Sequence, residues 1–192
     1  MKICFASHNE HKLQEIQTLA PEGFVVIGLT QLGQSEEIPE TGSTLEENSA
    51  LKARFVFEKF NIPVFADDSG LEVSALNNEP GVYSARYAGP QRNADDNMNL
   101  LLQKLQGKTN RQACFKTVIT YIDEHGDQIQ FDGRVDGKII SEKKGTAGFG
   151  YDPIFVPEDF DRTFAEMTDS EKNKISHRYR AFQKFLKYLS EK

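Results

Sequence analysis

The sequence predicts an α/β fold in which helices cover a mixed β-sheet. Through the first half of the chain, apolar runs of strand length alternate with amphipathic segments of helical period, an order typical of βαβ units. Two longer strand-like segments, 113–123 and 128–140, follow and are joined by Glu-His-Gly-Asp, which predicts a hairpin. The length of 192 residues favours a single domain over residues 1–192.

Each shorter element is predicted from its own local pattern. Strands are predicted at 2–6, 24–29, 62–66 and 71–76, and helices at 9–19, 43–60, 93–105 and 169–189. Ser43 and Thr44 are each followed three residues later by a glutamate, the spacing of two overlapping capping boxes at the start of a helix.

The composition excludes several classes of protein. Hydrophobic residues make up 38% of the chain and charged residues 27%, the balance of a globular domain. A net charge of −6 argues against duplex nucleic acid as a partner, although a few lysines in one cleft could still bind a small anion. No stretch approaches the roughly 20 apolar residues of a membrane span, and no signal-peptide pattern opens the chain. We therefore expect a cytoplasmic protein with no membrane partner.

Several kinds of catalytic site are absent from the sequence. The chain has no GxxxxGK[ST] phosphate loop, no GxSxG nucleophile motif and no HxH or CxxC pair at zinc-binding spacing. Cys4 and Cys114 lie in apolar, strand-like segments, which favours buried free thiols. Acidic and basic residues are therefore the better candidates for chemistry.

Two adjacent aspartates follow the predicted strand 62–66. Because side chains alternate along a strand, Asp67 and Asp68 should point to opposite faces of the sheet. One interpretation of Asp-Asp-Ser-Gly is a simple turn. The other is a metal or general-base site, because open α/β sheets bind ligands beyond the carboxyl ends of their strands.

Two further groups of polar residues stand where apolar or capping residues are usual. Lys52 lies on the apolar side of its helix, so its ammonium must either extend to solvent or meet an anion. Ser7, Asn9 and Lys12 follow the first strand and open a helix. They would serve either as ordinary capping residues or as donors to a phosphate.

The C-terminal part of the chain offers two more open cases. The glycine-rich segment 145–153 contains two aromatic residues and is either a mobile loop or a platform on which a base stacks. On the last predicted helix, Lys172, Ser176 and Arg180 line one flank, and a solvated basic flank is one interpretation of this segment. The other is that His177 and Arg178 supply hydrogen-bond donors to a ligand.

Six motifs that combine polar residues at fixed spacing occur in order over residues 7–178. They are Ser7-x-Asn9-x-x-Lys12, Glu40-Thr41-Gly42-x-Thr44-x-x-Glu47-Asn48-x-x-x-Lys52, Ala66-Asp67-Asp68-Ser69-Gly70-Leu71, Pro80-Gly81-Val82-Tyr83-Ser84-Ala85-Arg86-Tyr87, Gly148-Phe149-Gly150-Tyr151-Asp152-Pro153 and Glu171-Lys172-Asn173-x-x-Ser176-His177-Arg178. In this order the chain closely resembles the inosine triphosphate pyrophosphatase family. Ser49, where alanine is usual, and Ala147, where glycine is common, are its small departures.

The resemblance implies an elongated mixed sheet in two helix-covered lobes, an active site in the cleft between them, and a homodimer. It implies hydrolysis of non-standard purine nucleoside triphosphates (ITP, dITP and XTP) to monophosphate and pyrophosphate. It further implies that Glu40 and Asp68 bind Mg²⁺ and that Asp68 is the catalytic residue that activates water. The residues implied to bind the substrate are Ser7, Asn9, Lys12, Lys52, Ser69, Phe149, Gly150, Tyr151, Asp152, Lys172, His177 and Arg178.

Within that set the resemblance also assigns parts of the substrate. Ser7, Asn9, Lys12 and Lys52 would hold the triphosphate. Phe149 would stack on the base. Asp152, Lys172, His177 and Arg178 would recognise the base through hydrogen bonds.

Two alternatives to this function stay open. One is a Maf-type nucleotide pyrophosphatase of different base preference, against which the Ser176-His177-Arg178 motif argues. The other is a sensing module that binds a triphosphate without cleaving it. Binding alone does not need a base linked to a metal, so the presence of Glu40, Asp68 and Lys52 together argues against the second alternative.

Overall fold

The structure, a computed structural model, describes residues 2–191 and has the predicted α/β architecture. The strands are β1 (Lys2–Phe5), β2 (Val25–Gly28), β3 (Val64–Val73), β4 (Gln112–Ile122), β5 (Gln128–Ile139) and β6 (Phe155–Pro157). The α-helices of the described residues are α1 (Glu10–Leu19), α2 (Leu45–Phe60), α3 (Ala94–Lys104), α4 (Asp169–Ile175) and α5 (His177–Ser190). The strands form one sheet in the order β2-β1-β3-β4-β5-β6.

The sheet is mixed, as predicted. Strand β1 pairs in parallel with β2 and with β3, whereas β5 and β6 are antiparallel. Because β1 lies between β2 and β3, the strand order reverses beside it. Such a reversal leaves room for a ligand beyond the carboxyl ends of the strands.

The described residues form two compact units, and the long strands β3, β4 and β5 contribute to both. The first unit comprises residues 2–68, 117–133 and 179–191, and the second comprises 69–116 and 134–178. That the active site lies in a cleft between two lobes stays a prediction.

In the first unit, alternate residues of the strands face different helices. One buried cluster joins the strands to α1 and α5, and its central members are Ile3, Phe5, Ile16, Phe65, Phe182 and Phe185. The other cluster joins them to α2 through Cys4, Ala6, Ala53, Val56, Val64 and Ala66. The first unit therefore has helices on both faces of its strands, as in doubly wound α/β folds.

The second unit has its own apolar core. Its buried residues come from strands β3 to β6, from α3 and from connecting segments that include the turn Phe164–Glu166. They include Leu71, Val73, Leu101, Phe115, Val135, Phe155 and Phe164. At one side of this core, the Tyr151 hydroxyl donates a hydrogen bond of 2.9 Å to the backbone carbonyl of Ser84.

Two predicted boundaries are wrong. The segment Asp-Asp-Ser-Gly is not a turn between two strands, because β3 runs without interruption from Val64 to Val73. The predicted helix 169–189 is two helices. Ser176 has an extended backbone conformation (φ −64°, ψ 153°), which ends α4 and places His177 at the start of α5.

At the start of α2, Thr44 is the capping residue. Its hydroxyl accepts a hydrogen bond of 3.1 Å from the backbone N–H of Glu47, while the Glu47 carboxylate accepts from Ser43. The prediction of a cap with Glu47 is therefore confirmed, with the helix beginning at Leu45.

Both cysteines are buried free thiols, as predicted. Burial raises the pKa of the Cys4 thiol to about 12, which disfavours a nucleophilic thiolate at neutral pH. Within residues 2–191, the structure contains no helix long and apolar enough to cross a membrane.

Candidate active site

Asp67 and Asp68 lie in β3 just beyond the carboxyl end of β1. The last residue of β1, Phe5, pairs with Phe65, so the two aspartates extend past that strand. Asp67 is fully buried and Asp68 is 7% exposed. Two carboxylates buried at the point where the strand order reverses mark this position as a candidate site.

The two aspartates face opposite sides of the sheet, as predicted. Asp67 lies on the side of α1, where its carboxylate oxygens are 3.1 and 2.9 Å from the ammonium of Lys12. Asp68 lies on the side of α2, with an oxygen 3.8 Å from the ammonium of Lys52. Each of these two neighbouring carboxylates of β3 thus meets a lysine from a different helix.

Lys52 is buried, so the interpretation in which its ammonium extends to solvent is wrong. The side chain is 9% exposed and its ammonium lies 2.5 Å from the Glu40 carboxylate as well as near Asp68. Glu40 comes from the loop before α2 and is half-buried. The ammonium therefore joins two carboxylates from separate segments of the first unit.

Burial and neighbouring charges shift the pKa values of Lys52 and Asp68. Burial lowers the pKa of Lys52, but Asp68, Glu40 and Asp67 outweigh burial and raise it above its ordinary value. Burial also raises the pKa of Asp68, with the opposing effect of Lys52 and Lys12 too small to reverse it. Lys52 is thus held as a cation, and Asp68 is a stronger base than an ordinary carboxylate.

Ser7 and Asn9 organise the start of α1. The Ser7 hydroxyl accepts a hydrogen bond of 3.2 Å from the backbone N–H of Asn9, and the Asn9 side chain accepts one of 3.1 Å from that of Lys12. The predicted capping role of Asn9 is therefore confirmed. This cap also fixes the turn of helix from which Lys12 extends toward Asp67.

In the second unit, Asp152 organises the glycine-rich loop. One of its oxygens accepts a hydrogen bond of 2.8 Å from the backbone N–H of Phe149 and lies 2.7 Å from the Lys172 ammonium. Gly148 has a positive φ of 73°, and a Cβ there would collide with the same oxygen, so the loop requires glycine at this position.

The Phe149 ring lies beside two cations. The Lys172 ammonium is 4.5 Å and the Arg178 guanidinium carbon 5.7 Å from its centroid. Both basic residues are buried, with Arg178 only 1% exposed. The interpretation of a solvated basic flank is therefore wrong for Lys172 and Ser176, whereas Arg180 is exposed. These contacts place an aromatic face and two donor side chains of the second unit together.

Arg178 and His177 have further partners in the second unit. Arg178 donates a hydrogen bond of 3.4 Å to the Ser69 hydroxyl. The His177 ring stacks on Phe115, with centroids 4.8 Å apart and planes inclined by 10°. Phe115 was not predicted from the sequence, because an apolar residue inside a strand carries no sign of a polar partner.

Two of the residues predicted to bind the substrate, Tyr151 and Gly150, present no polar side chain to a ligand. Tyr151 is 4% exposed and belongs to the core of the second unit, so its side chain serves packing. Gly150 has a positive φ of 63° and contributes backbone only. A ligand near either residue would therefore meet main-chain atoms rather than the phenol.

The carboxylates of the first unit suit a magnesium ion. Mg²⁺ is commonly bound through one or two carboxylates, with the remaining ligands supplied by phosphate oxygens and water. Glu40 and Asp68 flank one ammonium group and provide two such oxygen donors. Residues 2–191 contain no group of three or more acidic, histidine or cysteine side chains arranged to hold a metal on their own.

Comparison with known proteins gives a consistent result over almost the whole chain. A family model described as the Ham1 family matches residues 3–188. The dITP/XTP pyrophosphatase of Flavobacterium johnsoniae is 53% identical over 190 residues, covering 99% of this chain and 98% of its own. The dITP/XTP pyrophosphatase of Bacillus subtilis is 45% identical over 187 residues, covering 96% of this chain and 94% of its own.

Solved structures show the same fold. The Staphylococcus aureus Ham1 protein superposes with a TM-score of 0.91 at 41% identity and covers 100% of this chain and 99% of its own. A HAM1 protein from Coxiella burnetii superposes with a TM-score of 0.92 at 38% identity, with 100% of each chain covered. The α/β fold and the order of its elements are therefore shared with both.

The Lys12–Asp67 pair gives a prediction about stability. Removing one partner leaves a buried charge unpaired, so Lys12→Met and Asp67→Asn should each destabilise the fold. The double variant should lose less free energy of unfolding than the sum of the two single losses. We expect a coupling free energy of about 1–3 kcal/mol from a double-mutant cycle measured by urea unfolding.

The control is the exposed pair Lys184–Asp132, whose side chains are 56% and 62% exposed. The corresponding cycle, with Lys184→Met and Asp132→Asn, should give less than about 1 kcal/mol. Equal coupling in the two cycles would contradict the view that Asp67 and Lys12 form a buried, interdependent pair.

Proposed function

This chain belongs to the Ham1 family, and from that premise we propose that it is a nucleoside-triphosphate pyrophosphatase. The proposed reaction hydrolyses non-standard purine nucleoside triphosphates, namely ITP, dITP and XTP, to nucleoside monophosphate and pyrophosphate. The activity would remove these nucleotides from the cellular pool and so keep them out of nucleic acids. The names of the Flavobacterium johnsoniae and Bacillus subtilis relatives support this assignment.

One observation carries the proposal: the buried ammonium of Lys52 lies between the buried carboxylate of Asp68 and the half-buried carboxylate of Glu40, just beyond the carboxyl end of β1. Lys52 lies between Glu40 and Asp68 with little exposure to water. Burying the charges of Lys52 and Asp68 is costly for stability and is usual where function requires them. An ammonium beside two carboxylates suits a ligand that brings phosphate oxygens and a divalent cation at once.

We propose Mg²⁺ as the cofactor, held by Glu40 and Asp68. When bound, Mg²⁺ would neutralise charge on the phosphate oxygens and so favour attack by water on the phosphorus. The oxygen donors of the two side chains fit its preference for hard ligands. An ion held by two protein carboxylates would depend on the triphosphate for further ligands, so metal and substrate should bind together.

The protein's own residues then have distinct tasks in the reaction. Lys52, kept cationic by its neighbours, donates to the phosphates. Lys12 carries three N–H donors and can contact Asp67 while donating to a phosphate oxygen. Asp68 takes a proton from the attacking water, whose oxygen bonds to the α-phosphorus as the bond to the bridging oxygen breaks. Pyrophosphate leaves with the bridging oxygen and its electron pair.

The second unit would select the base. Phe149 offers a ring on which a purine stacks, and Arg178 lies close to that ring. Hypoxanthine and xanthine carry a carbonyl at C6, which accepts hydrogen bonds from donors such as Arg178 and His177. Adenine carries an amino group at C6, which would leave such a donor unpaired.

We also propose that the protein is a cytoplasmic homodimer, as the family resemblance implies. Multi-angle light scattering over a range of protein concentrations measures the subunit number. A mass of two chains would support the dimer, and a mass of one chain at all concentrations would refute it.

The products of the reaction test the proposed function. With Mg²⁺ and ITP or XTP, the protein should release monophosphate and pyrophosphate in equal amounts, because attack occurs at the α-phosphorus. Chromatography of the nucleotides and a pyrophosphate assay identify both products, with chelation of the metal as the control that should abolish turnover. Diphosphate and orthophosphate as primary products would contradict the proposal, and the absence of any turnover would favour a binding module.

Base selectivity gives a second prediction for this function. A buried donor left unpaired costs about 1–3 kcal/mol, equivalent to roughly 5- to 150-fold in rate per contact. We therefore expect kcat/KM for ITP and XTP far above that for ATP, and expect Arg178→Ala to reduce the ITP/ATP ratio by a factor in that range. Steady-state kinetics with both substrates measure the ratio.

The matched control for the selectivity prediction is Arg134→Ala, because the Arg134 side chain is 56% exposed and pairs with Asp136 at the surface. It should leave the ITP/ATP ratio unchanged. An unchanged ratio in folded Arg178→Ala would place base recognition elsewhere. Equal cleavage of ATP and ITP by the wild-type protein would contradict the proposed selectivity.

A further inference from the structure

Asn48 is a fully buried polar residue on α2, one helical turn before Lys52. Most buried positions of this helix are apolar or small, and a buried amide costs stability unless its donors and acceptor are used. The side chain therefore requires an explanation beyond helix packing.

The amide oxygen of Asn48 holds the loop that carries Glu40. It accepts a hydrogen bond of 2.8 Å from the backbone N–H of Gly42, two residues after Glu40. A Cβ on Gly42 would lie 2.8 Å from this oxygen and 2.7 Å from the Cβ of Glu47. The loop can therefore approach the first turn of α2 only with glycine at position 42.

This hydrogen bond also fixes the orientation of the amide. A backbone N–H can bond only to the oxygen of the side chain, so the nitrogen of Asn48 must occupy the other position. That nitrogen is buried and makes no hydrogen bond within residues 2–191. Asn48 and Lys52 are both buried on α2 one helical turn apart, and the Lys52 ammonium lies 3.8 Å from Asp68, so we expect an acceptor for this donor at the candidate site.

We propose that Asn48 is a positioning residue of the reaction, whose carbonyl anchors the Glu40 loop and whose buried amide N–H groups, unpartnered in the protein alone, donate to the water that Asp68 activates. One short side chain thereby ties together the two segments that supply the carboxylates. The inference rests on the proposed pyrophosphatase function and adds to it a residue that contacts neither the triphosphate nor the base.

Two substitutions separate anchoring of the loop from orientation of the attacking water. Asn48→Asp keeps an oxygen that can accept from Gly42 but removes the amide donor, whereas Asn48→Ala removes both. We expect both variants to lose at least tenfold in kcat for ITP in the presence of Mg²⁺, with KM changed less than about threefold, because orientation is needed in the transition state more than in binding.

The matched control is Ser49→Ala, which alters the next residue of the same helix. Ser49 is equally buried, but its hydroxyl bonds to Thr120 at 2.7 Å and lies outside the candidate site. This variant should retain the wild-type kcat. Thermal unfolding and the Kd of an ITP analogue with an imido group between the α- and β-phosphates should show that Asn48→Asp is folded and binds substrate.

A purely structural role predicts the opposite pattern. Wild-type kcat in Asn48→Asp, or a loss in Asn48→Ala that only follows its reduced Tm, would overturn the inference while leaving the proposed function intact. Failure of the wild-type protein to hydrolyse ITP would defeat the proposed function and the inference with it. A loss of kcat in Asn48→Asp at unchanged analogue binding is the result that the inference requires.

Discussion

The candidate site of the first unit depends on the alternation of side chains along β3, where Asp67 and Asp68 extend past the carboxyl end of β1. Because neighbouring residues of a strand face opposite sides, Asp67 meets a lysine from α1 and Asp68 meets a lysine from α2. The uninterrupted strand holds both carboxylates at a fixed separation, and the order β2-β1-β3 leaves space beyond the end of β1 for a ligand. The helices thus deliver two cations to one strand end from the two faces of the sheet.

In the second unit, a break between two helices positions the basic side chains. Ser176 ends α4, so that Lys172 on α4 and Arg178 on α5 both approach the ring of Phe149. On one continuous helix, residues six positions apart would project from directions about 120° apart. Asp152 completes the arrangement by bonding the loop backbone and the Lys172 ammonium with the same oxygen.

The sequence predicted the α/β class, the mixed sheet and most element boundaries, because strand and helix periods are local properties. It also predicted that Asp67 and Asp68 face apart. The pairing of Asp67 with Lys12 was missed, because it depends on which strands are neighbours. Periodicity favoured one helix over 169–189, since nothing in the type of residue at Ser176 demands a break. The exposure of Lys52 could be decided only by the fold, which brings Glu40 and Asp68 to its ammonium.

Kinetics of the two adjacent aspartates distinguish the roles assigned to the faces of β3. With saturating ITP and Mg²⁺, we expect Asp68→Asn to lower kcat by at least about 100-fold, since it removes the proposed general base and proposed metal ligand. Asp67→Asn should act through Lys12 and mainly raise KM, with kcat retained within about tenfold. A loss of kcat in folded Asp67→Asn equal to or greater than that in Asp68→Asn would contradict this division of roles and would move the base to Asp67.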